Sequence, residues 1–239
     1  MKKLIDETVI DLAEFICESD AIENIQDDRD LVIEQIETCK KDGHVGAMLM
    51  LEELAQSSLN QGGHTTDELI CKLQGLITAE QHLKPGGPCL NPKYIGRYRP
   101  EYVSVTVGGR LCLSSSLVPA EMAKLLGGIN LWQLSSWFQE QDYNIRRIAD
   151  FHFRFEIIHP FADGNGRTGR ALAYYLMQWA GLKPIIFTNN DKLELYYPCF
   201  RNPDDPSLMQ RYFLIKMGRD PDAEVTADKT ADWYNEGGQ

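Results

Sequence analysis

Between residues 7 and 40 the apolar positions Val9, Leu12, Phe15 and Ile16, then Ile22 and Ile25, then Leu31, Ile33 and Ile36 recur at helical intervals, with acidic residues between them. Such spacing gathers the apolar side chains on one face. It predicts two amphipathic helices broken near Gln26-Asp27-Asp28, the second ended by Gly43. The period returns over residues 47–59 and 66–83, the latter opened by Thr65-Thr66-Asp67-Glu68, whose hydroxyls and carboxylates suit a helix start. Lys84-Pro85-Gly86-Gly87-Pro88 breaks it.

The period then changes. Val103, Val105 and Val107 alternate with Ser104 and Thr106, Gly108-Gly109 follows, and Leu111-Cys112-Leu113 resumes after Arg110. A two-residue period around a glycine pair predicts a short β-hairpin. Helical spacing resumes over 119–127, 130–140, 144–158, 167–180, 193–200 and 207–217, with loops at the Gly, Pro and Asn clusters. Residues 220–239 are acidic, carry Gly237-Gly238 near their end and predict a frayed tail. The expected class is mainly α, a helical bundle with one minor hairpin.

The chain has 239 residues, 43% of them hydrophobic, enough for one large core. Its formal net charge of -11 disfavours nucleic acid or an anionic membrane as partner, because both need clustered Lys and Arg. No stretch approaches the ~18 apolar residues of a membrane span, and acidic residues follow Met1-Lys2-Lys3 before any signal core forms, so a cytoplasmic protein is expected. Cys17, Cys39, Cys71, Cys89, Cys112 and Cys199 show no metal or disulfide spacing and read as free buried thiols.

The chemistry concentrates in His159-Pro160-Phe161-Ala162-Asp163-Gly164-Asn165-Gly166-Arg167-Thr168-Gly169-Arg170. Gly164 and Gly166 let main-chain amides approach a ligand without a Cβ in the way. A helix starting there offers unpaired amides and a positive dipole end, a ready site for phosphate. Arg167 and Arg170, three apart, are expected to project from one face toward that site. Asp163 supplies a hard oxygen ligand for Mg²⁺ beside the phosphates, Asn165 an amide for a phosphoryl oxygen, and His159 a base near neutral pH. Taken singly, each has an ordinary explanation: a helix-capping histidine, a Gly-Asn-Gly turn. The conjunction within twelve positions argues for a magnesium–nucleotide site.

This stretch resembles the signature of the Fic family, H-P-F-x-[DE]-G-N-G-R-x-x-R, matching every defined position. Residues 149–158 look like the helix that leads into that motif, and residues 96–103 are similar to the family's approach to its flap. The resemblance implies a helical core with a β-hairpin flap and transfer of AMP from ATP to a Ser, Thr or Tyr hydroxyl of a target protein. By position it implies His159 as general base and Asp163 as Mg²⁺ ligand. Gly164, Asn165 and Gly166 would cradle the phosphates, with Arg167 and Arg170 on the β- and γ-phosphates. The flap tip, Thr106, Val107, Gly108, Gly109 and Arg110, would dock the target as an added strand. The segment 189–197 resembles the family's adenine-pocket lining, where Tyr197 either stacks on the base or is a core tyrosine. Self-association and self-modification are further possibilities that the resemblance implies.

Ser19-Asp20-Ala21-Ile22-Glu23-Asn24 looks like the family's inhibitory motif, [ST]-x-x-x-E-[GN], in which the glutamate pairs with the second arginine, here Arg170. The C-terminal Trp233-Tyr234-Asn235-Glu236-Gly237 ends similarly, but Asp232 stands where Ser or Thr belongs, so Ser19 and Glu23 are preferred. The expected layout is an N-terminal helical region over 1–64 with an inhibitory helix at about 8–26, a Fic domain over 65–218 and an acidic tail over 219–239. The alternatives are removal of AMP, transfer of another nucleotide or a phosphoryl group, and a nucleotide-binding regulator with little catalysis.

Overall fold

The computed structural model describes residues 7–58, 65–107 and 110–222. The N-terminal pattern forms α1 (Glu7–Ile22), α2 (Arg29–Glu37) and α3 (Gly43–Ser58), followed by α4 (Asp67–Ala79). α2 is capped by Asp28, whose carboxylate accepts from the Asp30 and Leu31 amides, and α4 by the Thr66 hydroxyl, which accepts from Leu69. Gly43 does not end α2 as the sequence suggested. It opens α3 at φ +69°, after Thr38 has already capped α2.

β1 (Thr106–Val107) and β2 (Arg110–Leu111) pair antiparallel, Thr106 opposite Leu111 and Val107 opposite Arg110. The hairpin is shorter than the alternation over 103–113 implied, though the Cys112 amide extends it by donating to the Val105 carbonyl at 2.9 Å. Gly108 and Gly109 lie outside the described residues, as does most of the expected acidic tail.

α5 (Val118–Ser135) is one helix where two were expected; it passes through Gly127-Gly128 because Leu125, Leu126, Ile129 and Trp132 stay buried on one face. α6 (Gln141–Ile158) and α7 (Asn165–Trp179) follow. Residues 193–200, expected as a helix, are a π turn (Lys192–Tyr196) and a 3-10 turn (Tyr197–Phe200), with Pro198 at its start. α8 (Ser207–Lys216) closes the bundle.

α7 lies at the centre, buried along almost its whole length, with α6 on one side and α1, α3 and α4 on others. The class is mainly α. One continuous core runs from Leu12 to Leu214, so α1 shares it with the motif helices, and the Phe15 ring packs tilted against Tyr174 with centroids 4.8 Å apart. No described helix is long and apolar enough to cross a membrane. The six cysteines are free, but only Cys199 is buried, while Cys39 and Cys89 are exposed; their isolation along the sequence carried no information on depth.

Candidate active site

α6 ends at His159, which takes a left-handed conformation (φ 52°, ψ 62°) while its amide donates to Phe155. Pro160 prevents the helix from continuing. The chain turns back through Asp163 and restarts as α7 from Gly164, also left-handed at φ +78°. A Cβ on Gly164 would lie 2.5 Å from Thr78 Cγ2, so glycine is needed for conformation and for space. The Asn165 side chain closes the turn. Its Oδ1 accepts from the Phe161 amide at 2.8 Å, and its Nδ2 donates to the Phe161 carbonyl at 2.9 Å. At 2% exposure this side chain staples the loop and does not reach toward a phosphoryl oxygen, which corrects the sequence reading.

The first turn of α7 presents amides without intrahelical acceptors. A carboxylate lies beside this turn: Glu23 Oε1 is so close to Gly166 that a Cβ on that glycine would come within 2.3 Å of it. Arg170 Nη2 donates to Glu23 Oε1 at 2.9 Å and to the Ser19 carbonyl at 2.8 Å, and Nε donates to Ser19 Oγ at 3.0 Å. Glu23 is half-buried, which opposes ionisation, but Arg170, with Arg167 behind it, holds its carboxyl below the ordinary range.

Arg167 and Arg170 do not project together as their spacing suggested. Arg170 lines a cavity of about 660 Å³ shared with Glu23, Thr106, Glu156, His159 and Tyr197. Arg167 turns to Gln81 and to Asp20, 3.6 Å away. Asp20 is buried and also meets Lys84 at 2.6 Å and His44 at 3.2 Å. These partners outweigh burial and hold its carboxyl well below normal, while burial and the neighbouring Asp20 push Asp27 up to about 7. The C-terminal end of α1 thereby engages both motif arginines, through Asp20 in its last turn and Glu23 just beyond it.

Asp163 is fixed by Gln81 Nε2, which donates to Oδ2 at 2.7 Å, and by the Gly164 amide, which donates to Oδ1 at 2.7 Å. Each oxygen keeps a lone pair. Among the described residues no group of three or more His, Cys, Asp or Glu could hold a metal ion. A hard cation at Asp163 would therefore complete its coordination with phosphate oxygens and water, an ordinary arrangement for Mg²⁺.

Burial lowers the His159 imidazole to about 4, so it is neutral at pH 7. Its Nδ1 faces the Glu156 carbonyl at 3.3 Å and Glu156 Oε2 at 3.9 Å. Glu156 is itself pushed up to about 8 by burial, against Arg170, and its Oε1 has no hydrogen-bond partner. The sequence reading passed over Glu156, although an acid three residues before His159 in an apolar turn was a usable signal.

Tyr197 lines the cavity, 40% exposed, as does Tyr196, which is buried and hydrogen-bonded through its hydroxyl to His152 Nε2 at 2.8 Å. Arg170 lies 6.0 Å from the Tyr196 ring centre. Of the flap, Thr106 and Cys112 reach the cavity wall; Val107 and Arg110 form its outer rung. Arg99 was also missed. It is buried, and its donors go to carbonyls of the flap stem and of the α6 end.

A helical bundle thus brings a helix start with free amides, a neutral histidine and a hairpin to one cavity. Residues 64–177 match the Fic/DOC family model, and the chain carries a Fic/DOC family domain. It is 34% identical over 108 residues to a protein adenylyltransferase Fic of Nematostella vectensis, covering 44% of this chain and 23% of that protein. It is 33% identical over 79 residues to that of Drosophila melanogaster, covering 33% and 16%. The matched part is thus a minor share of these relatives' length. In fold it resembles a Fic-domain-containing signalling protein of Bacteroides thetaiotaomicron, with TM-score 0.60, 18% identity, and 93% and 95% of the two chains covered.

Proposed function

We propose that this protein transfers AMP from ATP, with Mg²⁺, to a hydroxyl of a target protein, and that Glu23 holds the reaction down. The observation that carries the reading is the Glu23 carboxylate, which lies against Gly166 at the start of α7 and engages Arg170 in the cavity that also contains His159. An acid side chain in this place stands in for a phosphate.

With Glu23 withdrawn, the amides of Gly166 and its neighbours and the freed Arg170 bind the polyphosphate. Nδ1 of His159 faces the Glu156 carbonyl, which favours the tautomer with Nε2 as acceptor. Nε2 takes the target's hydroxyl proton as that oxygen bonds to the α-phosphorus. The bond from the α-phosphorus to the bridging oxygen breaks, and pyrophosphate leaves with its charge drawn by Arg170. Mg²⁺, when bound, neutralises phosphate charge, and Asp163 would hold it. The flap edge would align the target segment, and Tyr196 and Tyr197 would border the base.

The test is label transfer to protein by Glu23→Gly, supplied in parallel with ATP labelled at the α- or the γ-phosphorus. Label retained from the α position alone is expected. Label from the γ position alone would replace adenylyl transfer with phosphoryl transfer, and none from either would leave a nucleotide-binding regulator.

A further inference from the structure

Arg99 is 3% exposed, and no carboxylate pairs with it among the described residues. A buried guanidinium without a counter-ion is costly unless every donor is satisfied. Nε donates to the His159 carbonyl at 2.8 Å, and Nη2 to those of Ile158 at 3.4 Å and Leu113. Nη1 donates to the Val103 carbonyl at 3.2 Å and to Ser115 Oγ at 2.9 Å. Its backbone amide adds a bond to the Pro160 carbonyl at 2.9 Å.

These acceptors fall into two groups. Val103, Leu113 and Ser115 are the two stems of the hairpin and its exit, while Ile158, His159 and Pro160 are the end of α6 and the start of the motif loop. One rigid, planar cation spans them. The His159 carbonyl it holds belongs to a non-glycine residue at φ 52°, a conformation that costs about 1–2 kcal/mol and persists only when its surroundings fix it. The neighbouring ties do not reach the hairpin: Gln74 joins the Gly96 amide to the Asp163 carbonyl, and the Tyr98 ring packs tilted against Phe161 with centroids 5.4 Å apart.

We propose that Arg99 is the positioning residue that sets the hairpin's distance and orientation relative to His159, and so aligns a target hydroxyl carried on the hairpin with the base. The inference rests on the adenylyl-transfer reading for its turnover measurement and on geometry for its structural one. Misplacement of a reacting group by about 1 Å costs up to ~100-fold in rate. The nucleotide subsite at Gly166 and Arg170 makes no contact with Arg99, so its affinity should be spared.

The experiment compares Glu23→Gly with Glu23→Gly/Arg99→Ala and Glu23→Gly/Arg99→Lys, each with and without millimolar guanidinium chloride. Amide exchange over the described hairpin residues, the Cys112 amide above all, should accelerate in the alanine variant and slow again when guanidinium refills the cavity. Turnover should fall roughly 10- to 100-fold with KM for ATP within about twofold, and guanidinium should restore part of it. Lysine should give an intermediate value, since three donors on one nitrogen cannot span both groups. Unchanged hairpin exchange, a loss expressed equally in KM for ATP, or a loosened hairpin with full turnover would each overturn the proposal. If the alanine variant does not fold, the lysine variant decides by the same readouts. Absence of label from Glu23→Gly itself overturns the function reading, and hairpin exchange then decides whether Arg99 ties the hairpin to His159.

Discussion

Replacing Glu23 should raise nucleotide affinity by an amount the structure bounds. Charge-assisted hydrogen bonds contribute about 1.5–3 kcal/mol, and Glu23 makes one to Arg170 at 2.9 Å. Its side chain is 34% exposed, so solvent screening brings the figure down to roughly 1–2 kcal/mol. At about 1.4 kcal/mol per factor of ten, ATP should bind about 5- to 30-fold more tightly to Glu23→Gly. Arg170 is not orphaned by the change, because Ser19 retains two of its hydrogen bonds. Titration calorimetry with Mg-ATP on the unaltered chain, Glu23→Gly and Glu23→Gln reads this directly. Glutamine keeps the shape and removes the charge, so it should recover part of the gain. Dissociation constants within twofold across all three folded proteins would refute the argument that Glu23 competes with phosphate.

Other outcomes follow from single contacts. Glu156 is pushed up to about 8 from an ordinary 4.5, so the folded protein keeps a proton that the unfolded chain releases, and stability should fall as pH rises from about 4.5 to 8. Glu156→Gln should remove this decline, gaining in melting temperature on the parent between pH 5.5 and 8.5; a constant difference would contradict it. His152 and His159, lowered to about 3 and about 4 by burial, act the other way, costing stability as pH drops below 6.5 in both chains. Gly164→Ala should lose about 1–2 kcal/mol from its left-handed backbone alone, and more from Thr78 Cγ2. Adding Thr78→Ser should recover only the steric part, read by thermal melts. Asp20→Asn removes the carboxylate that meets Lys84, His44 and Arg167, and should lower the melting temperature by about 6 °C or more; an unchanged melt would mean the cluster contributes nothing.

Legibility from the sequence followed range. Helix positions came through because each depends on apolar spacing within a few turns, and the loop from His159 to Arg170 could be singled out because its glycines, acid and base are contiguous. Gly127-Gly128 misled because Gly127 faces open space, where a helix tolerates it, while the neighbouring apolar residues hold the helix together by packing. The turn at 192–200 departs from a regular helix as Tyr196 packs among Phe187, Phe200 and Tyr212, contacts made across the chain. Arg167 misled for a similar reason: three-residue spacing sets where a side chain starts, but Gln81 and Asp20, distant in sequence, determine where it ends. Asp20 could have been suspected, since it falls on the apolar stripe of α1 between Ile16 and Glu23. Nothing local marks Arg99, whose acceptors lie as far as 60 residues away.

The central claim is that a base-dependent transfer lies beneath the Glu23–Arg170 contact. The most direct measurement is the initial rate of protein labelling from α-labelled ATP with Mg²⁺ by the unaltered chain, Glu23→Gly, and Glu23→Gly/His159→Ala, each checked for fold and for ATP binding. The account requires label to rise at least about fivefold with the first change and to vanish with the second while ATP still binds. Label that survives the loss of His159, or that never rises on removing Glu23 from a protein that binds ATP, would contradict it.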